Sequence, residues 1–127
     1  MTPTEGELAI LQLLWAHGPA TVRAINEALN EQPGKATGYT TTLKIMQLMA
    51  EKGLVTRDES QRSHVYTAAV AQEKTQKNLL GRFLESTFGG SRSDLVLRAL
   101  GDGEATAEEL SEIKRLIHQL EKENDHG

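Results

Sequence analysis

The segment from residue 37 to residue 51 carries polar side chains that can hydrogen-bond, and few of them are charged. They recur at helical spacing on one face of a predicted helix and are Thr37, Thr40, Thr41, Lys44, Gln47 and Glu51. Threonine can bind a base or a phosphate and can place its methyl group against thymine, glutamine can pair with adenine, and lysine suits a phosphate or guanine. The face therefore either contacts DNA bases or is an ordinary solvated face, although solvated faces more often carry Glu and Lys.

Two short stretches rich in β-branched residues follow, at 54–57 and 64–67. They predict two strands, and the polar residues between them predict the tip of a β-hairpin. Arg62 at this tip suits a minor groove or the phosphate beside it, and Arg57 and His64 flank the tip as weaker candidates. The alternative for an isolated arginine is a charged turn that only adds solubility.

Three helices are predicted before this hairpin, with approximate bounds 4–17, 21–29 and 37–52. The first begins at a capping box, in which Thr4 and Glu7 exchange hydrogen bonds between side chain and backbone. The third offers the backbone N–H groups of its first turn to a phosphate, and Tyr39 either contacts a phosphate or fills the turn. Three helices followed by a hairpin are the element order of a winged helix-turn-helix.

The rest of the chain, residues 71–127, predicts amphipathic helices that are separated by glycines. The last of them begins at a second capping box, formed by Thr106 and Glu109. Helices this short bury little apolar surface alone, so we expect their stripes to pack against a second copy of the chain. The stripe residues predicted to form a dimer are Leu80, Phe83, Leu84, Phe88, Leu95, Leu110, Ile113, Leu116, Ile117 and Leu120.

The composition excludes several classes of protein. The 127 residues include no cysteine, so disulfide scaffolds, zinc–thiolate sites and cysteine nucleophiles are impossible. The four histidines lack the i, i+4 pairing of metal ligands and there is no Gly-x-Ser-x-Gly motif, so we predict no metal, no cofactor and no enzyme activity. No stretch is long and apolar enough for a bilayer and no signal peptide is evident, so we expect no membrane contact and a cytoplasmic location.

Charge is distributed unevenly along the chain. The formal net charge is −4, which argues against a general binder of nucleic acid. Residues 35–66 nevertheless carry five Lys or Arg against three Asp or Glu, a local net charge of +2. Binding depends on the charge at the contact surface more than on that of the whole chain, so the overall acidity does not exclude DNA.

A set of short segments extends in order along almost the whole chain. They are Glu7-Leu8, Leu14-Trp15, Gly18-Pro19-Ala20-Thr21-Val22-Arg23, Tyr39-Thr40-Thr41, Leu43, Glu51-Lys52-Gly53-Leu54-Val55, Tyr66, Gly89-Gly90-Ser91 and Leu95-Val96. This set resembles the BlaI/MecI/CopY family of bacterial repressors. The resemblance implies a winged-helix DNA-binding domain at 1–70, with a recognition helix at 37–47 and a wing at 57–64, and a helical dimerisation domain at 71–127.

The chain departs from that family at three places. Leu48 stands where family members commonly have arginine. The C-terminal cysteines by which copper-sensing members bind metal are absent, and Arg98-Ala99 stands where penicillinase repressors have the Asn–Phe bond that a protease cuts. The sequence therefore identifies neither an inducer nor a protease.

With this resemblance, the sequence predicts a homodimeric repressor that binds a dyad operator in double-stranded DNA through its third helix. The residues predicted to bind DNA are Thr37, Tyr39, Thr40, Thr41, Lys44, Gln47, Arg57, Arg62 and His64. The alternative is a winged-helix module that binds a protein or senses a ligand and does not bind an operator directly.

Overall fold

A computed structural model describes residues 2–34 and 36–126 of the chain. Its elements are α1 (Glu5–His17), β1 (Ala20–Thr21), α2 (Val22–Asn30), α3 (Tyr39–Lys52), β2 (Val55–Asp58), β3 (Val65–Ala68), α4 (Gln72–Phe88), α5 (Arg92–Gly101) and α6 (Ala107–His126). The predicted class, mostly helical with a small β-hairpin, is confirmed. Contacts divide the chain into an N-terminal unit, Met1–Leu80, and a C-terminal unit, Gly81–Gly127. This division falls inside α4, and the boundary expected between residues 70 and 71 stays a prediction.

The N-terminal unit is built around one apolar core. The buried side chains that form it come from the three helices and the hairpin and are Ile10, Leu11, Leu14, Val22, Ile25, Met46, Met49, Leu54, Val55 and Tyr66. Trp15 packs against this core, and its indole N–H donates to the carbonyl of Val70 at 3.0 Å. The core thus joins the first helix to the chain that follows the hairpin.

The predicted capping box at the start of α1 is present. The Thr4 hydroxyl accepts from the N–H of Glu7 at 3.2 Å, and Glu7 Oε1 accepts from the N–H of Thr4 at 2.9 Å. The second carboxylate oxygen of Glu7 lies 2.7 Å from Nζ of Lys52, in the last turn of α3. One carboxylate therefore caps α1 and links it to the end of α3.

The sheet has three strands, whereas the sequence predicted two. Its order is β1-β3-β2, and both neighbouring pairs are antiparallel. In β1, Ala20 lies opposite Tyr66 and Thr21 lies opposite Val65. A strand of two residues is too short to show the alternation that predicts strands, so this element was missed. β2 and β3 each begin one residue later than predicted.

α3 begins at Tyr39, so the prediction that it begins at about Thr37 is wrong by two residues. Gly38 is the N-cap residue and is extended, with φ −69° and ψ 151°. The backbone of Thr37 is held outside the helix because its N–H donates to Asn30 at 2.7 Å and its carbonyl accepts from Asn26 at 2.8 Å. Sequence periodicity does not report such contacts with another helix.

The C-terminal unit comprises the end of α4 together with α5 and α6. Ser91 caps α5 by accepting from the N–H of Asp94 at 3.2 Å, and the predicted capping box of Thr106 and Glu109 opens α6. Among its described residues one large apolar side chain, Leu84, is buried. Over residues 2–34 and 36–126, no helix has the length and apolar content needed to cross a membrane.

Candidate nucleic-acid interface

A groove of about 290 Å³ lies on the N-terminal unit, between α3, the hairpin and the start of α2. The side chains in its lining that can hydrogen-bond to nucleic acid include Arg23, Tyr39, Gln47, Arg57, Arg62 and His64. The hairpin reaches this place because Tyr66, which lies opposite Arg57 in the ladder, is 1% exposed and belongs to the core. Burial of Tyr66 thus anchors the wing, residues 57–64, beside α3.

The groove brings together five of the nine side chains predicted to bind DNA, namely Tyr39, Gln47, Arg57, Arg62 and His64. Thr40, Thr41 and Lys44 are exposed elsewhere on α3. Thr37 differs from the others because it precedes the helix, is half-buried and has its backbone bonded to α2. The structure therefore brings five of the predicted side chains together in the groove and leaves Thr40, Thr41 and Lys44 exposed on α3 outside its lining.

Arg23 is a groove residue that the list of predicted DNA contacts lacks. It lies in the first turn of α2, directly after the Val22 that begins the helix, and its side chain is exposed. The N-terminus of a helix carries a partial positive charge, so a cation there is disfavoured by the helix itself. That mismatch is the signal in the sequence that could have identified Arg23 as a residue with a partner outside α2.

The Arg57 guanidinium has two neighbours on the hairpin that act on its pKa. Tyr66 and Glu59 both raise the pKa of Arg57 above its ordinary value, and Glu59 forms an ion pair with it. At the tip, the N–H of Ser60 donates to Asp58 Oδ1 at 2.9 Å and lowers the pKa of Asp58. Within the wing, Arg57 is therefore paired with Glu59, and Asp58 holds the turn at the tip.

A second surface consists of apolar side chains, most of them in the C-terminal unit. Those predicted to form a dimer and found exposed are Leu80, Phe83, Leu110, Leu116, Ile117 and Leu120, while Phe88, Leu95 and Ile113 are half-buried. Leu84 is only 6% exposed within the single chain, and its place in a dimer stays a prediction. Val96 and Leu97, which are not in the predicted dimer set, are 43% and 69% exposed.

Side chains that bind metals are dispersed in the described part of the chain. Within residues 2–34 and 36–126, no group of three or more His, Asp or Glu could hold a metal ion. That the chain uses neither a metal nor a cofactor stays a prediction.

The comparison with known protein families decides the classification. The family model described as penicillinase repressor matches residues 3–119. The chain belongs to the penicillinase repressor family. Membership confirms the resemblance found in the sequence and, because members of the penicillinase repressor family are transcriptional regulators, it confirms that the chain is not an enzyme.

The individual relatives found for this chain share less than 30% sequence identity with it. Two proteins named transcriptional regulator BlaI, from Mycobacterium tuberculosis strains CDC 1551 / Oshkosh and ATCC 25618 / H37Rv, are each 28% identical over 117 residues, which are 91% of this chain and 82% of theirs. The solution structure of the DNA binding domain of the repressor BlaI aligns with a TM-score of 0.48 at 17% identity, over 57% of this chain and 90% of that one.

Proposed function

We propose that the chain is a homodimeric repressor that binds a dyad operator in double-stranded DNA. The observation that carries the proposal is the groove, in which three arginines and one histidine lie beside the polar face of α3. Membership of a repressor family supports DNA as the partner. The bound dimer would block transcription by occluding a promoter, in the cytoplasm of a bacterial cell.

In this proposal the exposed face of α3 enters the major groove and contacts the bases. Hydroxyl and amide side chains can discriminate base edges there, and those proposed to do so are Thr40, Thr41 and Gln47. Lys44 contacts a phosphate or a guanine. Tyr39 and the first backbone N–H groups of α3 contact a phosphate, since Gly38 supplies no side chain to cap them.

The basic side chains around the groove supply attraction that does not depend on sequence. Arg62, at the tip of the wing, is proposed to enter the minor groove or to bind its flanking phosphate. Arg23, Arg57 and His64 are proposed to contact phosphates. Each phosphate that is neutralised releases counterions, so the observed affinity must fall steeply as salt rises.

The second copy of the chain is proposed to cover the apolar stripe of the C-terminal helices. On α6 the side chains of Leu110, Ile113, Ile117 and Leu120 are spaced by three and four residues, the repeat with which helices pack side by side. A two-fold dimer presents one α3 to each half-site. The half-site centres then lie about 34–36 Å apart, or a multiple of that distance.

The proposal is tested by selecting binding sites from a random double-stranded DNA library and measuring affinity for the selected site by fluorescence anisotropy. A scrambled duplex is the control, and both are titrated at several salt concentrations. We expect a selected sequence with a dyad, and binding that weakens steeply with salt. Weak and equal binding to both duplexes would contradict the proposal and favour the alternative of a protein or ligand partner, for which the net charge of −4 argues.

A further inference from the structure

Two asparagines of α2 hold the chain that leads into α3. Asn26 and Asn30 lie one helical turn apart, and both donate from Nδ2 to the carbonyl of Thr37, at 2.8 and 3.0 Å. The Oδ1 of Asn30 also accepts from the N–H of Thr37 at 2.7 Å. The side-chain amide of Asn30 therefore pairs with both backbone groups of Thr37, as a neighbouring strand would.

The same network extends into the first turn of α3. Asn26 Nδ2 donates a second hydrogen bond, to the hydroxyl of Thr42 at 2.9 Å, and that hydroxyl donates to the carbonyl of Gly38 at 3.3 Å. Thr42 is 0% exposed, so its hydroxyl depends on these partners. Asn30 Nδ2 lies 3.4 Å from Asn26 Oδ1. All four amide hydrogens of the two asparagines are thus used.

These contacts restrain an unusually long connection between α2 and α3. A helix-turn-helix usually joins its helices by a turn of about three or four residues, whereas residues 31–38 separate α2 from α3 here. A longer connection leaves the start of the following helix with more freedom. The apolar core contacts α3 from Leu43 onward and buries Met46 and Met49, so these contacts begin after the first turn of the helix. Only the asparagine network bonds α2 to the residues at which α3 begins, among the hydrogen bonds of the described chain.

We propose that Asn26 and Asn30 are positioning residues, which set the start of α3 so that its exposed side chains meet the bases in register. This inference depends on the proposed function, because it concerns how α3 is held while it reads an operator. Asn26 and Asn30 act through Thr37 and Thr42, and the base contacts remain with the exposed side chains of α3. Contacts that read bases tolerate little displacement, whereas contacts to phosphates by long side chains tolerate more.

The test compares the full-length wild type with the double variant Asn26→Ala/Asn30→Ala. These changes leave the charge unaltered and raise the helix propensity of α2, so lower binding cannot come from repulsion or from a weaker α2. We expect the preference for the selected site over a scrambled duplex to fall by about tenfold, the effect of one mismatched base pair. Affinity for the scrambled duplex and its salt dependence should stay within about twofold of the wild type.

The matched control is Asn78→Ala, at an exposed position on α4. It should leave the preference for the selected site unchanged. If the double variant loses stability, the single variant Asn30→Ala at an exposed residue takes its place. A variant that folds and retains the full preference of the wild type would overturn the proposal.

Amide hydrogen exchange, measured by NMR on the free protein, tests the asparagine network in the absence of DNA. The N–H of Thr37 should be protected in the wild type and should exchange about tenfold faster in Asn30→Ala, since its acceptor is removed. Exchange that is equally slow in the variant would overturn the proposal whatever the DNA result. If the wild type selects no DNA sequence although Asn30 protects the N–H of Thr37 from exchange, the proposed function is wrong. The asparagine network then orders the start of α3 but has no role in reading an operator.

Discussion

The two units of the chain differ in how much apolar surface each buries by itself. Of the large apolar side chains buried in the described residues, ten belong to the N-terminal unit and one, Leu84, to the C-terminal unit. The C-terminal unit instead exposes seven, which are Phe83, Val96, Leu97, Leu110, Leu116, Ile117 and Leu120. Large patches of exposed apolar surface mark interaction sites. As a single chain, the N-terminal unit therefore has a complete core, whereas the described residues of the C-terminal unit do not form one.

The polar groups follow the same division. In the N-terminal unit Glu7, Thr42 and Asn26 bond to residues far away in the sequence, and these bonds fix α1, α2 and α3 against one another. In the C-terminal unit the side-chain hydrogen bonds of the described residues all join residues two or three positions apart. They are the caps of α5 and α6, a turn between Asp102 and Glu104, and the pairs Ser91 with Ser93 and Arg115 with Glu112. Local bonds define helices, but they do not define a tertiary structure.

The first prediction compares a leucine-to-alanine substitution in each of the two units. Leu11→Ala removes a fully buried side chain and should lower the free energy of unfolding by about 2–5 kcal/mol. Leu116→Ala, at a side chain 54% exposed in the single chain, should lower the melting temperature by an amount that depends on protein concentration, because the contact it removes is proposed to be with a second copy. Calorimetry at several protein concentrations shows whether the change in melting temperature of each variant depends on concentration. A concentration-independent effect of Leu116→Ala would remove the contrast between the units.

The next prediction concerns assembly. Leu116→Asp/Ile117→Asp should convert the proposed dimer to monomers, because it places two carboxylates in the proposed apolar contact. Affinity for the selected operator should fall about a hundredfold, since each half-site is then bound separately. Light scattering gives the mass and anisotropy gives the affinity. Ser111→Asp/Gln119→Asp adds the same charge to other exposed positions of α6 and should leave the mass unchanged. An unaltered mass in the first variant would contradict the assigned interface.

A third pair of variants sharpens the account of the N-terminal unit. Gln47→Ala on α3 should relax the preference at one base position and should reduce affinity for the selected site by about tenfold, as for a lost bidentate contact. Arg62→Ala on the wing should weaken binding to all duplexes alike and should make the salt dependence shallower by about one phosphate contact. Repeating the site selection with each variant shows whether its base preference has changed. Unchanged base preference in Gln47→Ala would refute the role given to that residue.

The last prediction concerns how the stability that Glu7 contributes depends on pH. Burial raises the pKa of Glu7, but hydrogen bonds from Lys52 and Thr4 outweigh burial and bring the pKa below its ordinary value. A carboxyl with a lowered folded-state pKa stabilises the fold above its unfolded-state pKa, and that stabilisation is lost as the pH falls through the folded-state pKa. Glu7→Gln should therefore be less stable than the wild type at pH 7, by about 1 kcal/mol. Chemical denaturation should show the difference vanishing in acid, and a constant difference would contradict this role.

The sequence predicts what depends on neighbours one turn away, and it misses what depends on distant contacts. Both capping boxes and the apolar stripes follow from spacings of three and four residues, so they could be predicted. The strand β1 exists only because β3 lies beside it, and Thr37 stays outside α3 only because α2 takes its backbone groups. For the same reason the polar face of α3 could be predicted, whereas the groove it shares with Arg23 and the wing could not.

The number of chains bound to the selected DNA is given by the mass of the protein–DNA complex. Sedimentation equilibrium with one duplex that carries the full site, and with another that carries one half-site, gives the number of chains on each. We expect two chains on the full site and much weaker binding to the half-site, because the C-terminal unit is proposed to join two copies of the chain. One chain bound to the full site, with equal affinity for the half-site, would contradict the account.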